Sequence, residues 1–170
     1  MSGLWAESDE SSRYVVEARS YRIVGIASHN FWVLRDGQGD VIAQLHGLAT
    51  DRKTNAFKPI GVFNDRLGFY EFKTANNDPS FIFTKQVSVC VFQGAKEHAL
   101  IRWQKATSQI DRLNALDLNY TPFGVFGLLV TNSNSAYHLF SKLMGIECCR
   151  FPGVLEPGIG NDLSDYFVVA

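Results

Sequence analysis

The sequence has little of what marks membrane-spanning, secreted or nucleic-acid-binding proteins. Its 170 residues contain no apolar run of about 18 residues, so no membrane-spanning helix is expected. The formal net charge is −1 with both signs mixed along the chain, which argues against a nucleic-acid surface. The N-terminus is polar and acidic and lacks the regions of a secretory signal. We expect a cytoplasmic protein, or one exported by a route without a cleaved signal peptide.

Cysteine is also scarce, with only Cys90, Cys148 and Cys149 in the chain. There is no Cys-x-x-Cys spacing and no histidine cluster beside the adjacent pair, so neither a zinc site nor a disulfide framework is predicted. We expect no metal and no cofactor, and a reducing compartment is the simplest interpretation. Cys90 alternates with valines, which predicts a position in the core.

The rest of the composition is that of a globular domain. With 46% hydrophobic residues the chain can bury a core, and we expect a flexible tail over residues 1–12 and a single domain over 13–170. Apolar residues at spacings of three and four predict one long helix over 95–116. Strand-like segments are predicted at 13–26, 67–73, 81–84, 86–92 and 166–169. The expected fold class is α+β, an antiparallel sheet with two packed helices.

A hairpin is predicted where two apolar runs flank Asp36-Gly37-Gln38-Gly39-Asp40. If the turn is centred between Gly37 and Gln38, the numbers of paired residues sum to 75. His29 then stands opposite His46 on the same face of the sheet. An odd-length loop or a bulge would change this pairing. Imidazole is the usual general base near neutral pH, although an ordinary surface or core role is more common for a single histidine.

A second helix is predicted after Asn132-Ser133-Asn134-Ser135, with Ala136, Leu139, Phe140 and Leu143 at helical spacing and Gly145 as its stop. Asn132 or Ser133 is the expected N-cap. A hydroxyl there lies at the positive end of the helix dipole, where a nucleophile can be held, although ordinary capping explains it as well. Ser135 is a rival nucleophile, and a local contact with His138 is an expected structural role for it.

The order of these parts resembles the circularly permuted branch of the papain-like (NlpC/P60) superfamily, as in lecithin:retinol-acyltransferase-like proteins. That pattern has a His, a glycine-rich hairpin, a second polar residue and an Asn-Cys motif that starts a helix. His29, His46 and Asn132-Ser133 stand at these positions. The stretch 132–163, with Leu-Met-Gly and Pro-Gly-Ile-Gly-Asn-Asp-Leu, is also similar to a motif in some bacterial toxin-like and effector-like proteins.

The resemblance implies a permuted papain-like fold and hydrolysis or transfer at an amide or ester bond. It gives Ser133 the role of nucleophile, His29 that of base and His46 that of orienting His29. Backbone N–H groups of the helix, with the amides of Asn132 and Asn134, would stabilise the oxyanion. The implied substrates are peptides, cell-wall peptides or lipid acyl groups.

The chain departs from that pattern at the nucleophile, because Ser133 stands where the family has Cys. A thiol can ionise near neutral pH at a helix start, whereas a serine depends on an adjacent base. Ser133 is therefore a genuine nucleophile, a natural loss of activity or a Cys→Ser replacement. A catalytically silent binding module on the same fold and a secreted bacterial effector are the alternative functions.

Overall fold

The computed structural model describes residues 13–23, 25, 27–58, 61–74, 81–122 and 130–166. The predicted tail over 1–12 and the end of the predicted last strand, 167–169, lie outside the described residues. Over the described residues the fold is α+β, as predicted: an antiparallel sheet with helices packed on it.

The sheet contains six strands in the order β4-β3-β2-β1-β6, and β5 pairs with β3 as well. All the pairings between named strands are antiparallel. The strands are β1 (Tyr14–Arg22), β2 (Ser28–Arg35), β3 (Val41–Thr50), β4 (Phe57–Lys58), β5 (Arg66–Lys73) and β6 (Ser88–Gly94). The helices are α1 (Lys96–Thr107), α2 (Ile110–Ala115) and α3 (Ser133–Met144), followed by a 3-10 turn at Leu163–Tyr166.

The single long helix predicted over 95–116 is wrong, because the chain breaks between α1 and α2. Thr107 and Ser108 donate their side-chain hydroxyls to the carbonyls of Gln104 and Lys105, at 3.4 and 3.2 Å. Such local bonds compete with the helical pattern. Among the described residues no helix is long and apolar enough to cross a bilayer, and α1 and α3 have 12 residues each.

One strand prediction fails, and the bounds of another are shifted by two residues. Residues 81–84 are irregular, and the strand predicted from 86 begins at Ser88. Cys90 is exposed rather than in the core, because β6 lies at the edge of the sheet and pairs with β1. Alternation with valine predicts a strand but does not say whether that strand is central or at an edge.

Helix α3 packs across β2 and β3 with most of its residues buried. The ring of Tyr137 stacks on Trp32 at 4.5 Å, and the indole N–H of Trp32 donates to the Tyr137 carbonyl at 2.9 Å. Opposite the first turn of the helix stands Gly47, where any Cβ would collide with the Cβ of Ala136. The missing side chain therefore lets the start of α3 lie directly against β3.

Candidate functional site

The hairpin that carries the two histidines has a different register from the predicted one. Arg35 pairs with Val41, so the numbers sum to 76 at the loop, and a bulge at the next pair raises the sum to 77. Direct opposition of His29 and His46 is therefore wrong. A shift of two residues keeps a side chain on the same face, because side chains alternate along a strand. The two histidines are diagonal neighbours on one face, a pair close enough for their rings to meet.

The ladder between β2 and β3 ends at Trp32 and Leu45, and the start of α3 occupies the opening beyond it. The side-chain oxygen of Asn134 accepts from the backbone N–H of Asn30, and its amide nitrogen donates to the Ser28 carbonyl, both at 3.0 Å. This one side chain supplies the two bonds that a neighbouring strand would make. The start of α3 therefore lies beside the backbone of β2, on the face of the sheet that carries Trp32 and Gly47. Because side chains alternate along a strand, His29 and His46 project from the other face.

His29 and His46, here called the histidine pair, are joined by a hydrogen bond. The distance from Nε2 of His29 to Nδ1 of His46 is 2.8 Å, and Nε2 of His46 is 3.1 Å from Oε1 of Gln44. Nδ1 of His29 is buried and has no hydrogen-bond partner among the described residues. The pair therefore has one buried nitrogen that no described residue bonds.

Aromatic rings surround the histidine pair. Phe31 stacks on His46 at 4.5 Å, Phe81 lies 4.6 Å from His46 and 5.3 Å from His29, and Phe72 lies 5.4 Å from His46. The two histidines are 3% and 0% exposed. Burial lowers the pKa of His29 to about 3. Burial, and then the nearby His29, hold the pKa of His46 well below its usual value, so both rings are neutral at pH 7.

Ser133 is the first residue of α3 and is 5% exposed. Tyr120 lies beside it. Burial raises the pKa of the Tyr120 phenol above its usual value, and the nearby hydroxyl and backbone of Ser133 oppose that shift, so the phenol is neutral. No hydrogen bond joins Ser133 to His29. The structure thus brings the two histidines together, but on the opposite face of the sheet from Trp32, Gly47 and the start of α3, while Ser133 lies beside Tyr120.

Asn132, Asn134 and Ser135 hold the start of the helix. Asn132 is the N-cap, and its side-chain oxygen accepts from the backbone N–H groups of Asn134 and Ser135 at 3.0 and 3.2 Å. Its amide nitrogen donates to the Pro157 carbonyl at 2.9 Å. Both asparagine side chains are therefore bonded to backbone groups and position the helix. Their role at an oxyanion stays a prediction.

The rival nucleophile Ser135 is fully buried and belongs to a capping box. Its hydroxyl accepts from the Asn132 N–H and donates to the Asn132 carbonyl, both at 2.8 Å. The expected contact with His138 is not formed, since Nδ1 of His138 has no hydrogen-bond partner among the described residues. Ser135 is a structural residue.

Sequence reasoning missed Tyr120 and Gln44. Tyr120 lies in a connector without periodicity, so no signal marked it. Gln44 lies two residues before His46 and so on the same face of β3, which was a usable signal. Both residues are buried; Tyr120 lies beside Ser133, 13 residues away, whereas Gln44 bonds His46 on its own strand.

The three cysteines line one cleft of about 540 Å³ between β6 and the segment after α3. All three are free thiols. Burial raises the pKa of Cys148 to about 11 and also raises the pKa of Cys90 and Cys149. These thiols are protonated at pH 7, so they are not activated nucleophiles. Among the described residues, no group of three or more His, Cys, Asp or Glu is arranged to hold a metal ion.

No protein-family model matches this chain, and no similar protein was found among curated proteins or solved structures. The function therefore has to be argued from the geometry of the site.

Proposed function

We propose that the chain is an acyl hydrolase or acyltransferase, acting on an amide or ester bond, with a permuted papain-like arrangement of its site. The observation that carries the proposal is the free Nδ1 of His29, on a ring whose Nε2 is bonded to His46 at 2.8 Å. A catalytic base needs one ring nitrogen held by an orienting group and the other free for the hydroxyl it activates. Ser133 is the proposed hydroxyl for that nitrogen, and because it lies on the opposite face of the sheet, the reaction requires a change of conformation that brings the two together.

In the proposed reaction the Ser133 oxygen attacks the acyl carbonyl carbon while its proton passes to Nδ1 of His29. The tetrahedral intermediate collapses as the leaving amine or alcohol takes that proton and its bond to the acyl carbon breaks. Water, or a second amine or alcohol, then attacks the acyl-Ser133 ester and gives its proton to His29. The proton returns to the Ser133 oxygen as the acyl group leaves.

The lowered pKa of His29 keeps the ring unprotonated before the reaction but disfavours the protonated ring that forms during it. The ring is neutral at pH 7, so the base is in its active form. The imidazolium formed during the reaction is disfavoured in an aromatic surrounding, and His46 would stabilise it by accepting from Nε2. Ser133 lies on the opposite face of the sheet from His29, so the two must first be brought together by a change of conformation. The nearby Tyr120 phenol and the backbone N–H of Ser133 are the proposed donors to an oxyanion.

A catalytically silent binding module is the second candidate. Burial of the site favours it, and so does the position of Ser133 on the opposite face of the sheet from the histidine pair. Ser133 and both histidines are at most 5% exposed, and Phe81 lies against both imidazole rings. A substrate would reach them only if these rings moved.

Labelling with a fluorophosphonate probe, read by intact mass, separates the two candidates. For an acyl enzyme we expect one adduct on Ser133 that is lost in Ser133→Ala and in His29→Ala. Ser135→Ala is the matched control in the same helical turn and should keep the adduct. No adduct in the wild type, together with an unreactive thiol in Ser133→Cys, would reject the acyl enzyme in favour of the silent module. A reactive thiol in that variant would show a working site whose nucleophile has been lost.

A further inference from the structure

We infer that Gln44 is a positioning residue that decides which ring nitrogen of His29 is unprotonated. Its catalytic meaning rests on the proposed function, but the proton arrangement itself does not. Gln44 and His46 lie on the same face of β3, and Gln44 is 7% exposed. Its side chain is the end of a chain of hydrogen bonds that passes through both histidines.

The chemistry of the carboxamide fixes the first proton. Its oxygen can only accept, and Oε1 of Gln44 is 3.1 Å from Nε2 of His46. His46 therefore carries its proton on Nε2. A neutral imidazole has one N–H, so Nδ1 of His46 is a bare acceptor.

The second proton follows from the first. Nδ1 of His46 is 2.8 Å from Nε2 of His29, so Nε2 of His29 must be the donor of that bond. Nδ1 of His29 is then the bare nitrogen, and it is the atom that has no partner among the described residues. Of the two neutral forms of His29, only this one has a lone pair there to take a proton from a hydroxyl.

Burial makes this relay depend on Gln44. Both histidines are closed in by phenylalanine rings, and Gln44 pairs with Val33 on one side and with Phe72 on the other. With an apolar residue at position 44, His46 loses its acceptor and is free to carry its proton on Nδ1. His29 would then have to accept through Nε2 and carry its own proton on Nδ1, the wrong form for a base.

The test is to read the tautomers directly in the full-length protein labelled with 15N-histidine. Two-bond 1H–15N correlation spectra distinguish protonated from bare ring nitrogens, and single His→Gln variants assign the four histidines. At pH 7 we expect both His29 and His46 to be protonated on Nε2. A wild-type His29 protonated on Nδ1 would overturn the inference, and this measurement needs no variant at position 44.

Two substitutions then test Gln44 itself. Gln44→Met, similar in volume, should give His29 a measurable Nδ1–H population and slow labelling of Ser133 about tenfold or more, as a wrong tautomer does in a serine triad. Gln44→Glu keeps an oxygen that only accepts and should keep both tautomers. Gln104→Met, on the exposed side of α1, is the control and should change neither. An unchanged His29 tautomer in Gln44→Met would refute the role of Gln44.

The two proposals fail separately. The expected tautomers without any Ser133 adduct would support Gln44 as a positioning residue and reject the acyl enzyme. An adduct on Ser133 with His29 protonated on Nδ1 would support the acyl enzyme and reject the role of Gln44.

Discussion

Two buried polar regions lie on opposite faces of the sheet near the point where β2 and β3 separate, and they differ in how completely their atoms are bonded. At the start of α3, the side chains of Asn132, Asn134 and Ser135 all bond backbone groups. In the histidine pair, Nδ1 of His29 has no partner among the described residues. Buried polar groups are normally satisfied, so an exception in a native protein needs an explanation. The comparison separates side chains that are fully bonded at the helix start from a buried ring nitrogen that has no partner among the described residues.

The largest effect that tests this contrast is the loss of stability in mild acid. His29 and His46 have folded-state pKa values far below the usual 6.5, so both bind protons more readily when unfolded. The stability they contribute is complete above about pH 6.5 and falls as pH drops toward the folded-state values. At pH 5 His29 alone costs about 2 kcal/mol, and the lowered pKa of His46 adds to that loss.

Urea unfolding at pH 7.5, 6 and 5 measures this loss. Carboxyl groups with lowered pKa, such as that of Asp51, act at lower pH and leave this window to the histidines. The double variant His29→Phe with His46→Phe should lose most of the pH dependence, whereas His98→Gln on the exposed side of α1 should keep it. If the free energy of unfolding of the double variant fell with pH as steeply as that of the wild type, the histidine pair would not be the cause of the pH dependence.

A smaller loss of stability is expected on substitution of Asn134, whose side-chain oxygen and nitrogen are both hydrogen-bonded. Asn134→Ala leaves the buried N–H of Asn30 and carbonyl of Ser28 without partners, which should lower the free energy of unfolding by about 3 kcal/mol. Asn134→Asp keeps the acceptor for the Asn30 N–H and should therefore lose less stability than Asn134→Ala. Denaturant unfolding at pH 7.5 measures both, and equal losses in the two variants would show that the two-point bond to β2 is not what Asn134 contributes.

The smallest effect is expected at the N-cap. Asn132→Ala removes the acceptor for two N–H groups of the first turn and should cost about 1–2 kcal/mol. Asn132→Asp retains that acceptor and should stay closer to the wild type in the same unfolding measurement. If alanine were harmless, the capping box would be incidental and the helix start would be held by Asn134 alone.

Local signals in the sequence were enough for several features of the site. The N-cap at Asn132 and the left-handed C-terminal residue Gly145 follow from residue types that satisfy helix ends, and both are confirmed. The hairpin and the common face of His29 and His46 follow from turn residues and from the period of two along a strand. Such features depend on residues close together in the chain, so the chain itself determines them.

Only the tertiary structure decided the rest, because the partners lie far apart in sequence or in segments without periodicity. The loop and the bulge, not the turn composition, set the register of the hairpin, in which the numbers of paired residues sum to 77 instead of 75. Asn134 bonds to residues more than 100 positions away, and Tyr120 meets Ser133 from an irregular connector. Hydrogen bonding and burial across such separations depend on how the elements pack. Packing therefore decided which hydroxyls and amides are bound at the site and which histidine nitrogen is free.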